Sequence, residues 1–193
     1  MRKSIISLVI AVSAILCGCS FSAEPTATVQ PIAQLDPVLT IYDDYALLDG
    51  HTWYQSPDGS YSIQIPENSE INDTDPSNVA ISIAGTFADP DSISITKNDV
   101  PVAIDTTAAL LELLKDDNSI DITGFFVLNK NGGYAGYKYT YTAMDDPQLK
   151  GIKSVVFSGD GTAYEINATI YNGGDEANVS FINTIVDTFV NHM

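Results

Sequence analysis

Apolar and polar residues alternate through most of the chain after residue 50, and the alternation predicts strands. Tyr61, Ile63 and Ile65 alternate with Ser62 and Gln64, and Pro66 closes the run. Successive strand side chains point to opposite faces, so this is a half-buried strand. Trp53 and Tyr54 lie just before it, across the turn signal Ser56-Pro57-Asp58-Gly59, which predicts a first hairpin. Glu67 to Asn78 is polar and irregular. Ile81 and Ile83 alternate with Ser82, and Ile93 and Ile95 with Ser92, Ser94 and Thr96. Asp89-Pro90-Asp91 between them predicts the turn of a second hairpin. Four more strands follow. Ile122 to Leu128 is β-rich, then Asn131-Gly132-Gly133 turns the chain, since glycine accepts positive φ without a Cβ clash. Tyr137, Tyr139 and Tyr141 alternate with Lys138, Thr140 and Thr142. Val155 to Phe157, the turn Asp160-Gly161, and the alternation Tyr164, Ile166, Ala168, Ile170 complete the series. Connections this short make neighbouring strands antiparallel.

Two segments carry helical periodicity instead. Asp105 is placed to cap a helix running to about Asp117, with Ala108, Leu110, Leu111, Leu113 and Leu114 as a broad apolar face. A second helix is predicted from about Asp175 to Asn191. Val179, Ile182, Val186 and Phe189 form its stripe, widened by Phe181 and Ile185. A lone helix cannot bury such a stripe, so it must lie on the sheet. The expected fold is α+β: an antiparallel sheet with two main helices packed on it. Ile41 to Leu48 reads equally as a short helix or a lead-in strand.

The N-terminus has another layout. Arg2 and Lys3 precede an apolar run from Ile5 to Leu16, and the run ends at Leu16-Cys17-Gly18-Cys19. A spanning helix needs roughly 20 apolar residues, so this shorter run reads as a signal sequence over residues 1–18. Small or apolar residues before Cys19 make it a lipobox, with Cys19 the lipidated residue. Its thiolate would accept a diacylglyceryl group, and the amine freed by cleavage a further acyl chain such as palmitate. Each buried methylene contributes about 0.8 kcal/mol, and stable anchoring takes more than one chain. Bulky Leu16 makes Cys17 the poorer site. Residues 19–40 contain Pro25, Pro31 and Pro37 among Ser, Thr, Ala and Gln, the composition of a tether. Residues 41–193 then form a single domain.

Charge narrows the function. Lys and Arg number 8 and Asp and Glu 25, for a net charge of −17. Arg2 is the sole arginine and lies in the expected signal. Nucleic acid is therefore not an expected partner, since its binding rests on neutralising phosphates. With Cys17 removed and Cys19 acylated, no thiol remains for disulfides, catalysis or metal.

The stretch Thr52-Trp53-Tyr54-Gln55-Ser56-Pro57-Asp58-Gly59-Ser60-Tyr61-Ser62-Ile63-Gln64-Ile65-Pro66 resembles the opening of the Mog1/PsbP-like fold group, whose members often begin with an aromatic, a turn, and a strand ending in proline. The likeness resumes at Gly161-Thr162-Ala163-Tyr164-Glu165-Ile166 and at the closing Thr188-Phe189. It extends over about residues 52–190 and includes bacterial lipoprotein members. Glu67-Asn68-Ser69-Glu70-Ile71 stands where many relatives have a tryptophan. The resemblance implies an antiparallel α+β fold and a binding or assembly role more often than an enzymatic one. The matched positions are architectural, so no functional residue is implied.

Candidate chemistry is sparse. His51 sits near Asp43, Asp44 and Asp49 in the chain, a pairing that could serve acid–base chemistry. No nucleophile stands at a recognisable spacing and no G-x-S-x-G occurs, so it reads as a surface histidine. His192 reads as part of a frayed end. The clusters Asp73/Asp75, Asp89/Asp91 and Asp116/Asp117/Asp121 lack the fixed glycine and closing glutamate of a calcium loop and read as turn and cap residues. No catalytic residue, metal site or cofactor is expected. Tyr137, Tyr139 and Tyr141 have two readings. Buried, they are core against a helix; exposed, they are a flat platform for sugar or peptide. They are the candidate ligand-contact residues. The function expected is that of a lipid-anchored binding or accessory module on the extracytoplasmic side of the cell membrane, with the membrane and an envelope protein as partners. A carboxylate hydrolase and a structural envelope lipoprotein are the alternatives.

Overall fold

The computed structural model describes residues 38–41, 45–83, 91–99, 103–130, 133–171 and 173–192. Cys19, the signal and residues 19–37 of the expected tether lie outside these. Strands β1 (Val38–Ile41), β2 (His51–Gln55), β3 (Tyr61–Pro66), β4 (Glu70–Asn72), β5 (Asn78–Ser82) and β6 (Ser92–Asp99) precede helix α1 (Thr107–Leu114). Strands β7 (Ile120–Lys130), β8 (Gly133–Ala143), β9 (Lys150–Phe157) and β10 (Thr162–Ile170) lead to helix α2 (Glu176–Asp187) and strand β11 (Val190–Asn191). Among the described residues an eight-stranded sheet runs β1-β7-β8-β9-β10-β6-β5-β4, and a three-stranded sheet runs β11-β3-β2. The fold is α+β, and among the described residues every strand pair but one is antiparallel.

The exception is β1, which runs parallel to β7 with Val38 opposite Phe126. Val38 to Thr40 closes the stretch expected as a tether. It reaches β7 from far along the chain, so no short connection imposes an antiparallel partner. Residues 45–48 are irregular, neither helix nor strand.

The large sheet is covered on both faces. Ile93, Ile95, Ile152, Val156, Tyr164, Ile166 and Ile170 join Tyr61, Ile63 and Ile65 of the small sheet and Ile182, Ile185 and Val186 of α2 in one cluster. On the other face Phe125, Tyr137, Tyr139 and Val155 meet Leu110 of α1, with Leu114 and Tyr141 at the margin. Two-sided cover explains Lys138, a polar strand residue that is only 3 % exposed. Its Nζ donates to Asp187 and Asn183 of α2 at 2.5 and 3.1 Å and lies 4.9 Å from the Phe126 ring centroid. A buried charge is tolerated only when paired in this way.

Both helix boundaries differ from expectation. Thr106, not Asp105, caps α1, its hydroxyl accepting from the amide of Ala109. Asp175, where the second helix is expected to begin, caps α2, accepting from Ala177 and Asn178. That helix stops at Asp187, short of Asn191, because Thr188 closes it. The Thr188 hydroxyl donates to the Ile185 carbonyl and accepts from the Gln64 amide. Phe189 then turns into the core, stacking on Tyr61 at 5.2 Å, and β-branched Val190 begins a strand that pairs with Ser62.

Glycine permits one close approach inside the sheet. A Cβ on Gly151 would meet the Tyr141 ring at 2.1 Å, so the missing side chain is what lets that ring lie flat over β9.

Candidate functional site

The small sheet builds a concavity on its outer face, and strand register says why. Tyr61, Ile63 and Ile65 point inward, so Ser62 and Gln64 point out. Trp53 lies opposite Gln64, and Val190 opposite Ser62. Residues directly opposite share a face, which gathers Trp53, Gln64, Ser62 and Val190 on one side. The strand direction continues to His192, two positions beyond Val190.

Gln64 holds a roof over part of this face. Its side chain is fully buried. Its Oε1 accepts from the Leu48 amide at 2.6 Å, and its Nε2 donates to the Ala46 carbonyl at 2.8 Å. These bonds pin residues 45–48 across the sheet. Between that segment and the strands lies a cavity of about 360 Å³ lined by Tyr45, Trp53, Ser62, Val190 and His192. Among the described residues, no Asp, Glu, Lys or Arg lines it. Trp53 is 40 % exposed. At the other end the Ser62 hydroxyl and the His192 Nε2 are hydrogen-bonded at 2.7 Å.

His192 therefore corrects the expectation of a frayed end. Its amide donates to the Ser60 carbonyl at 2.9 Å and its ring is tied to Ser62. No local signal marks the pair, because the two residues stand 130 positions apart. His51 is also more enclosed than a surface histidine. Its Nδ1 is bonded to the Asp49 carbonyl at 2.8 Å and its ring packs edge-on against Phe181 at 5.6 Å, while its Nε2 is buried without a partner.

The tyrosines on β8 are placed as core. Tyr137 and Tyr139 are 3 and 4 % exposed beneath α1, and Tyr141 is half-buried. They present no open platform to sugar or peptide, because α1 occupies the face that a ligand would need. Burial raises the Tyr137 hydroxyl from the ordinary 10.0 to about 12 and raises Tyr139 and Tyr141 as well.

In the acidic clusters, Asp75 and Asp117 bind their own turns, whereas Asp73 and Asp91 bond to residues distant in the chain. Asp75 accepts from the Ser77 hydroxyl and amide, and Asp117 from those of Ser119, and these bonds hold both carboxyls below their usual range. Asp73 accepts from the Tyr54 hydroxyl at 3.2 Å. That phenol is pushed up to about 12, first by burial and then by the Asp73 charge. Asp91 is fully buried and joins the Tyr171 amide to the Asn178 side chain. Asp89 lies outside the described residues. Among the described residues no group of three or more His, Cys, Asp or Glu converges as a metal site would, and no helix is long and apolar enough to cross a membrane.

No protein-family model and no curated protein sequence matches the chain. Its fold is similar to the solution structure of cyanobacterial PsbP (CyanoP) from Synechocystis, with a TM-score of 0.50 and 12 % identity over 75 % of this chain and 94 % of that one. A crystal structure from Bacteroides thetaiotaomicron is also similar, with a TM-score of 0.41 and 13 % identity over 75 % of this chain and 49 % of that one. The fold is PsbP-like.

Proposed function

We propose that this chain is a lipid-anchored binding or accessory module on the extracytoplasmic face of the cell membrane, and that its ligand enters the cavity beside Trp53. The anchor rests on the Leu16-Cys17-Gly18-Cys19 site after a short apolar run. A fold hosts many functions, so the cavity rather than the fold carries the binding role. The observation that carries it is a half-open tryptophan beside a cavity with a hydroxyl–imidazole pair at its other end. Few polar groups among apolar walls is the usual make-up of a ligand site. A tether would also raise the effective concentration of the module toward partners on the same membrane.

Two measurements test this. Intact-mass analysis of membrane-extracted protein should find acyl chains on Cys19, and Cys19→Ala should leave the membrane fraction. Full-length wild type and Trp53→Ala, used as bait on solubilised native envelope, should differ in what they retain. Identical retention by both would mean that the cavity is not the binding site.

A further inference from the structure

We propose that the cavity takes an uncharged sugar ring, with its C–H face against Trp53 and a hydroxyl on the Ser62–His192 pair. This deepens the binding reading above and rests on it.

The lining selects by charge first. An ionised ligand group placed among Tyr45, Trp53, Ser62, Val190 and His192 would lose water and find no carboxylate, lysine or arginine among the described lining residues in exchange, and that is costly. An anion also meets a chain with net charge −17. Four of the described lysines are paired internally: Lys97 with Asp160, Lys115 with Glu112, Lys138 with Asp187 and Lys153 with Glu165. A cation is the stronger rival, because the chain attracts it and an indole face binds cations.

The polar end selects next. A serine hydroxyl has one donor and two acceptor positions. One bond to His192 Nε2 leaves capacity on Ser62 for a group that both donates and accepts, which is what a sugar hydroxyl does. A purely apolar ligand would have no use for this pair and would gain nothing from its exposure to the cavity. At about 360 Å³ the space is near the small end of ligand sites, suited to one or two rings rather than a folded segment. Trp53, 40 % exposed, supplies the flat apolar surface.

Trp53 is the sole tryptophan of the chain, so its emission reports this cavity without interference. Full-length protein in detergent is titrated with cellobiose and with diacetylchitobiose, and separately with lysine methyl ester as a cationic probe and cyclohexanol as an apolar one, at low and high salt. The expected result is a saturable emission change with a disaccharide in the millimolar range. It should be insensitive to salt and weakened about tenfold, 1.4 kcal/mol, in His192→Ala. His192→Gln, which keeps a hydrogen-bonding group, should recover part of the loss, and an unchanged melting temperature in both variants shows that the fold is intact. Saturation by the cationic probe alone, weakening with salt, would overturn the sugar assignment and keep the binding site. So would saturation by cyclohexanol alone. Silence toward every probe, in a protein whose envelope retention still depends on Trp53, would overturn the sugar assignment by itself. Silence together with retention that ignores Trp53→Ala would bring down the binding reading as well.

Discussion

Two aromatic surfaces in this molecule began with similar sequence credentials and ended differently. The tyrosines of β8 alternate with polar residues, and the tryptophan of β2 stands on its strand between Thr52 and Tyr54. Tyr137 and Tyr139 vanish beneath α1, whereas Trp53 stays 40 % exposed. The difference lies in what each sheet face has available to cover it. The eight-stranded sheet has a helix for each face, so its alternate residues are core on both sides, Lys138 included. The outer face of the three-stranded sheet has, among the described residues, the segment 45–48, held by one glutamine side chain. That cover is too short to close over Trp53, and a cavity remains.

The sharpest way to break the comparison is to weaken the covered side. Phe125 is 1 % exposed in the cluster under α1, and Phe125→Ala should cost about 3–5 kcal/mol. Denaturant unfolding measures it, and a midpoint unchanged from wild type would mean that α1 does not cover a true core.

Alkali should act on the covered side too. The Tyr137 hydroxyl rises from 10.0 to about 12 in the fold, whereas in the unfolded chain it ionises near its ordinary value. The stability conferred by the neutral buried ring is therefore complete below pH 10 and lost as pH climbs toward about 12. Melting temperature followed against pH should fall over that window, with tyrosinate absorbance appearing together with unfolding.

A smaller effect belongs to the roof of the cavity. Gln64→Ala removes the acceptor of the Leu48 amide and the donor to the Ala46 carbonyl, at about 1–3 kcal/mol for buried polar groups left unmade. Amide exchange at residues 45–48 should quicken while that of β8 stays slow. The smallest effect sharpens the contrast most. Trp53→Ala should shift stability by no more than about 0.5 kcal/mol, as for surface positions, although its ring is the largest that the chain owns. A loss comparable to that of Phe125→Ala would make Trp53 core and remove the distinction.

Much of this was legible in the chain. The hairpin 51–66, the four strands after residue 119 and both helices follow from alternation, turn residues and apolar stripes, which are local signals. The exact ends were less legible: Thr106 displaced Asp105 as a cap, and Thr188 ended α2 early through a bond to Gln64, a residue far away in sequence. Lys138 gave no hint of burial, because its alternation with tyrosines looks the same whether one face is covered or two. The cavity was the least legible feature. Ser62 and His192 meet only after the small sheet has formed, and their spacing matches no motif.

That separation also says what the cavity requires of the chain. Contacts between neighbours in sequence close in microseconds, whereas remote ones wait until the intervening chain has been gathered in. The β2–β3 hairpin is local, but its third strand is supplied by Val190 and Asn191, after both helices and every strand of the large sheet. A chain without this pairing leaves Trp53 with no Val190 or His192 beside it, so the cavity exists only where Ser62 has met Val190. No hairpin taken alone contains it, and recognition through it belongs to the assembled domain.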